Sequence, residues 1–327
     1  MITKHLSLYL LVCLCLLSAC EKKEKPISLP PKGDGELLQV DMGETYDYQY
    51  FISLEQQKVV HVSRVDAWDI AFESGSTQHA VFLNGGMGMA AFNTHKTKFE
   101  DVGFADTNQS KNAWVYDAAN GSIDSSAIGE WKDKNEVYLI RLNESGKQIR
   151  KMQIQYEDAL EYKVLVGDIN SISGLLISIP KNGTCNYTYF SFTQLSTVDN
   201  IEPDKNSWDL QVTRYHYTFW DQNPPLQYLV NGFLLNPTAT SAYKDSLTAY
   251  TSIDQQFALN VPLSADRDII GFDWKTYNID KGIYTIVSKY NYIVHNQNDH
   301  TFKLHFLDYY SSVGVKGSPK FEFLQLK

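Results

Sequence analysis

Along most of the chain, hydrophobic and polar residues alternate with a period of two rather than 3.6, the pattern of strands with one face in a core. The pattern predicts strands at Tyr48–Leu54, Trp68–Phe72, Glu136–Leu142, Lys151–Tyr156, Tyr187–Phe192, Trp208–Phe219, Lys289–His295 and Thr301–Leu307. These runs are rich in Tyr, Phe, Val, Ile and Thr, which fit a pleated, half-buried surface. Turn clusters separate them: Asn143-Glu144-Ser145-Gly146, Asn182-Gly183 and Asn296-Gln297-Asn298-Asp299. The fold class this implies is all-β, antiparallel and sandwich-like.

The pattern is also written twice. Tyr48-Gln49-Tyr50-Phe51-Ile52-Ser53 corresponds to Tyr187-Thr188-Tyr189-Phe190-Ser191-Phe192, and Trp68-Asp69-Ile70 to Trp208-Asp209-Leu210. Phe51 to Trp68 is 17 steps and Phe190 to Trp208 is 18. Val81-Phe82-Leu83-Asn84-Gly85 echoes Tyr228-Leu229-Val230-Asn231-Gly232, and the hairpin through Lys151-Met152-Gln153-Ile154 echoes the one through Lys303-Leu304-His305-Phe306. Four matches in order imply two related units in tandem, 37–175 and 176–327.

The start of the chain follows a different rule. Met-Ile-Thr-Lys-His precedes an apolar run, Leu6 to Leu17, too short to span a bilayer and ending in small residues. This is a secretory signal, and Leu17-Ser18-Ala19-Cys20 resembles a bacterial lipobox. That resemblance implies cleavage after residue 19, lipidation of Cys20 (a palmitate-type acyl anchor) and attachment to the outer membrane, facing the cell surface. Residues 20–36 are charged and rich in Pro and Gly, so they are expected to be a flexible tether. Once the signal is removed, Cys20 and Cys185 are the cysteines left, so no internal disulfide is expected.

Composition narrows the function. Aromatic residues make up 13% and charged residues 20%, which excludes a disordered chain. The formal net charge is −9 with no basic block, so no nucleic-acid partner is expected. Nucleophile elbows, zinc helices, phosphate loops and cysteine pairs are missing from the sequence, and nothing positive indicates an enzyme.

Tyr189-Phe190-Ser191-Phe192, Trp208-Asp209-Leu210 with Arg214-Tyr215, the late hairpin from Phe302-Lys303-Leu304 to Asp308-Tyr309-Tyr310 and the closing Gly314-Val315-Lys316-Gly317 together resemble the HmuY family of surface lipoproteins. The resemblance implies a ligand groove formed by loops, haem as the ligand and delivery to an outer-membrane TonB-dependent receptor. It also implies two His ligands between the Trp-Asp strand and the late hairpin. This chain departs there: between Phe233 and Tyr284 it has no His and no Met. Tyr277 stands nearest the second family ligand, and Tyr243 and Tyr250 lie in the region of the first.

Haem iron accepts His, Met, Tyr or Cys. The remaining donors are therefore Tyr277, Met87 and Met89 in a Gly-rich loop with exposed thioethers, and His216, which alternation places on a solvent-facing stripe with Arg214 and Thr218. His79 and His95 flank the methionine loop. His295 and His300 bracket a turn where they could grip a transition metal, and His305 is expected to point away from the core beside Lys303. The aromatic loop from Trp220 to Tyr228 is either a stacking platform for a planar ligand or a cover for the core. The alternative to haem capture is a module that keeps the fold, lacks haem ligands and binds a carbohydrate, peptide or protein.

Overall fold

The computed structural model describes residues 30, 32–109 and 113–327. The lipobox, Cys20 and most of the tether lie outside the described residues. The regular secondary structure is nearly all antiparallel strand, joined by long stretches of turn and loop; the one α-helix among the described residues is the single turn Gln255–Ala258.

Two cores organise the strands. The first lies between a five-stranded sheet, ordered Glu36–Gln39, Lys316–Gln325, Thr301–Tyr310, Asn291–His295, Ser241–Asp245, and a four-stranded sheet, ordered Leu226–Leu235, Leu210–Phe219, Tyr48–Ser53, Lys58–Arg64. Ile52, Leu210, Phe233, Trp274, Phe306 and Phe321 fill it. The second lies between a five-stranded sheet, ordered Leu175–Pro180, Glu161–Asp168, Ile149–Glu157, Val137–Arg141, Ala90–Asn93, and a four-stranded sheet, ordered Ser196–Val198, Tyr187–Ser191, Ile70–Glu73, Val81–Leu83. Ile70, Phe72, Tyr138, Met152 and Phe190 belong to it.

The two halves matched in sequence do not sit side by side. Each Tyr-Phe strand pairs with the Trp-Asp strand of the other repeat: Phe190 lies opposite Ile70, and Ile52 opposite Leu210. The boundary drawn at 175/176 cuts through one core. One core takes its strands from about 65 to 202; the other takes 36–64 and 203–327, with the first inserted between them.

Hydrogen bonds lock this exchange in matched pairs. The Asp209 carboxylate accepts from the Leu54 amide at 2.7 Å, and the Asp69 carboxylate from the Phe192 amide at 2.7 Å. Trp208 meets Phe51 edge-on at 5.0 Å, and Trp68 meets Tyr189 edge-on at 4.9 Å. Asn84 donates to the Val65 and Trp68 carbonyls, and Asn236 to those of Lys205 and Trp208, all at 2.7 Å. These contacts correct the repeat alignment: Ile52 rather than Phe51 is equivalent to Phe190, and Asn236 rather than Asn231 is equivalent to Asn84. The Trp-Asp pair is structural, as a wide indole plus a carboxylate that ends the strand of the other repeat.

The outer faces of the five-stranded sheets are also covered. Lys151 donates to the carbonyls of Phe99 at 3.1 Å and Val102 at 2.8 Å; Lys303 donates to those of Tyr250 at 3.0 Å and Ile253 at 2.9 Å. Each buried ammonium ties a covering loop to its sheet and satisfies carbonyls that would otherwise be stranded. His305 is thus buried, not solvent-facing: it stacks on Tyr250 at 3.8 Å and bonds Glu322 at 3.1 Å.

The end of the expected tether is part of the body. The Gly33 and Gly35 amides each donate to the Glu322 carboxylate at 2.6 Å. A Cβ at Gly35 would come within 2.5 Å of the Phe323 carbonyl oxygen, so the close approach requires glycine. Burial alone would raise the Glu322 carboxyl, but the Gly33 amide, His305 and the Gly35 amide together hold it below the ordinary carboxylate range.

Candidate ligand-binding surface

The proposed iron donors do not converge. His216, on the strand Leu210–Phe219, is 4% exposed rather than solvent-facing. Its ring lies flat on Tyr116, with centroids 3.8 Å apart, and burial pushes its pKa down to about 4. Met89 is packed inside the second core, and the Met87 sulfur accepts from the Arg214 guanidinium at 3.3 Å. The expected exposed thioethers are thus both engaged, because the Gly85–Met87 turn folds down onto the hairpin beside His216.

The other described histidines are also partnered. His61 bonds the Asn200 carbonyl at 2.8 Å, His79 bonds Glu130 at 3.0 Å, and His95 bonds Glu136 at 3.0 Å. His295 lies opposite Thr301 in register and bonds its hydroxyl at 3.1 Å, while His300 pairs with Glu55. The two do not face one another across the turn, and no cluster of three or more His, Cys, Asp or Glu able to hold a metal occurs among the described residues.

What the surface does present is aromatic. The Leu210–Phe219/Leu226–Leu235 hairpin extends beyond Tyr48–Ser53, which pairs only with Leu210–Val212. At its turn Trp220 is 78% exposed, and Tyr228 on the return strand is 60% exposed. The expected loop Trp220–Tyr228 is thus a turn followed by strand from Leu226. Tyr277 is 52% exposed on a separate hairpin, Lys275–Asn278 with Ile283–Ile286, and packs at 4.8 Å against Tyr284. Burial and the neighbouring phenols raise the Tyr284 pKa to about 12, so that hydroxyl stays protonated at neutral pH. Tyr243 and Tyr250 pack against the outer face of the first core's five-stranded sheet.

A different set of side chains meets between the repeats. A cavity of about 90 Å³ lies where the two four-stranded sheets and the 117–121 segment come together. Across it, Arg267 donates to Gln211 at 3.1 Å, Gln211 to Gln49 at 2.9 Å, Gln49 to Ser63 at 2.8 Å and Ser63 to the Ile201 carbonyl at 2.7 Å. Asp117 accepts from the Leu83 and Ala127 amides, yet burial outweighs these bonds and raises its pKa to about 7. Glu202, beneath Tyr187 and Tyr189, is raised to about 7 by the same cause. Sequence reading missed this group because its members are scattered and no local spacing joins them.

Haem does not fit the donors this structure provides as an axial pair. His216 is clamped against Tyr116, Met89 is in the core, and Met87 is bonded to Arg214. Two cavities, one between the four-stranded sheets and one under the 266–273 loop, measure about 90 and 200 Å³, each short of the roughly 300 Å³ at which small-molecule pockets begin.

Residues 45–168 match the family model described as HmuY protein. This segment is HmuY-like. The match runs from the first Tyr-Phe strand to the end of Glu161–Asp168, and so crosses from one core into the other. Among solved structures, the chain is similar to apo PinO from Porphyromonas gingivitis, with 12% identity, 90% of this chain and 99% of that chain covered, and a TM-score of 0.26. It is also similar to a candidate lipoprotein from Bacteroides fragilis, with 12% identity, coverage of 90% and 93%, and a TM-score of 0.22. A candidate HmuY-like heme binding protein from Bacteroides vulgatus shows 13% identity, coverage of 91% and 97%, and a TM-score of 0.22. No curated protein matches the chain.

Proposed function

We propose that the protein is a binding lipoprotein of HmuY type, held at the outer membrane by lipid on Cys20, that captures its ligand on exposed aromatic side chains without an axial ligand pair. It carries out no chemistry on that ligand. The observation behind this reading is the contrast between Trp220, Tyr228 and Tyr277, which offer open aromatic faces, and the described histidines, all of which are partnered or buried. Such faces suit a sugar ring, a peptide or a protein surface, because aromatic rings supply large apolar area at little entropic cost.

A second reading is favoured by the HmuY-like segment and by the exposed phenol of Tyr277: haem capture for a TonB-dependent receptor. One titration separates the two. Haem is added to the purified protein while the Soret band is followed, in parallel with quenching of tryptophan fluorescence by glycans and peptides. The first reading expects no Soret shift at micromolar haem and a quench that disappears in Trp220→Ala. A Soret shift that is lost in Tyr277→Phe overturns it in favour of haem.

A further inference from the structure

The sheet face carrying Tyr215 and Tyr217 does not run into solvent directly. The loop 266–273 folds back over it and borders a half-open cavity of about 200 Å³. Three carboxylates, Asp266, Asp268 and Asp273, border this space, and one lysine, Lys244, answers them by pairing with Asp273. Among the described residues Asp268 pairs with no cation, although it is partly buried and its neighbour Asp266 carries the same charge. Arg267, between these two, turns its guanidinium the other way, to the Leu235 carbonyl and Gln211.

The second observation is independent of the acidic cluster. Tyr215 is 5% exposed, and its hydroxyl is buried without a hydrogen-bond partner. An unmet buried hydroxyl is costly, and native structures rarely leave one without reason. It faces the cavity floor: a Cβ on Gly271 would stand 3.7 Å from this hydroxyl and 2.9 Å from the Asp268 carbonyl oxygen. Gly271 has φ +62°, a left-handed conformation that lets the loop turn tightly here and leaves that point open. Tyr217 and Phe272, edge to face at 4.9 Å, supply an apolar wall.

We infer that this cavity is a binding site for a primary ammonium group, with Asp268 and Asp266 answering its charge, the Tyr215 hydroxyl accepting one of its N–H bonds and the Tyr217–Phe272 wall packing its alkyl stem. A cation without N–H donors would leave the hydroxyl unmet, so the chemistry selects a primary ammonium over a quaternary one. The group can come from a small free alkylamine or from a lysine side chain on a peptide. The site is separate from the exposed aromatic surface and stands or falls apart from it.

The test is calorimetric titration of the full-length protein with n-butylammonium, with n-butanol and tetramethylammonium as controls, and with acetyl-Gly-Lys-Gly-amide as the peptide arm. The expected result is saturable binding of butylammonium, none of butanol, and affinity about tenfold lower in Asp268→Asn, the scale of losing a hydrogen bond to a charged group. Tyr215→Phe removes only the unpartnered hydroxyl, so it should keep the wild-type melting temperature while binding several-fold more weakly. Asp124→Asn, on the other unit, should bind like the wild type. Butylammonium binding without peptide binding assigns a free amine; comparable or tighter peptide binding assigns a lysine side chain. No butylammonium binding at 10 mM, unchanged affinity in both Asp268→Asn and Tyr215→Phe, or equal binding of tetramethylammonium overturns the inference.

Discussion

Lys275 opens the hairpin that carries Tyr277, and it is buried. Its ammonium donates to the Asn231 carbonyl at 2.7 Å and lies 4.3 Å from the Trp274 ring and 4.9 Å from the Tyr309 ring. Loss of hydration lowers its pKa from the usual 10.5 to about 7, with Asp273 opposing only part of the fall. Between those two values the unfolded chain holds a proton that the folded chain has released. Stability therefore rises with pH across that window and levels off below pH 7, where both states hold the proton. For a shift of this size the linkage gives about 3 kcal/mol between pH 6 and pH 9. Lys275→Met removes the titrating group and leaves the Asn231 carbonyl without its donor, a cost of roughly 1–3 kcal/mol that does not depend on pH. Urea unfolding of both proteins, followed by tryptophan fluorescence, should show the wild type leading the variant by about 3 kcal/mol more at pH 9 than at pH 6. A gap that stays constant across that range would refute the claim that burial, and not a neighbouring charge, governs this lysine.

Further outcomes follow from the exchanged strands and the acids between the repeats. Asp69→Ala and Asp209→Ala should each lower stability by about 1–3 kcal/mol in urea melts, and by similar amounts, because each strands one amide of the other repeat. A fragment of residues 65–202 should fold, shown by dispersed amide resonances, whereas residues 37–175 should not, lacking the Tyr187–Ser191 strand that borders Ile70–Glu73. Glu202, raised to about 7 by burial, keeps its proton in the folded chain at pH values where the unfolded chain has lost it, so its contribution falls as pH rises from 4.5 to 7. Glu202→Gln should remove that fall, worth up to about 3 kcal/mol in wild-type melts compared at pH 4.5 and pH 8. Trp220→Ala should leave the melting temperature within a degree or two, because the exposed indole contributes little to the fold.

The strands themselves were legible from local pattern. Tyr48–Ser53, Tyr187–Ser191 and Thr301–Tyr310 start where the alternation and turn residues place them, because pleat geometry alone sends successive side chains to opposite faces. Matched positions of the two halves make equivalent contacts: the Trp-Asp pair recurs with its strand, and Lys151 and Lys303 perform the same task. Alternation names the two faces of a strand without saying what covers either one. His216, His305 and Lys303 sit on the faces expected to meet water, yet the Gly85–Met87 turn and the 250–253 loop close over them.

Partner choice was decided only in three dimensions. A strand's free edge accepts any neighbour of suitable register, so the same two Tyr-Phe strands are compatible with pairing inside each repeat or across to the other. Crossing lets Asp69 and Asp209 each end the other copy's strand and brings Arg267, Gln211 and Gln49 into one chain of hydrogen bonds. Directly bonded partners among them lie up to 162 positions apart, so their meeting is a property of packing and of no local stretch of sequence.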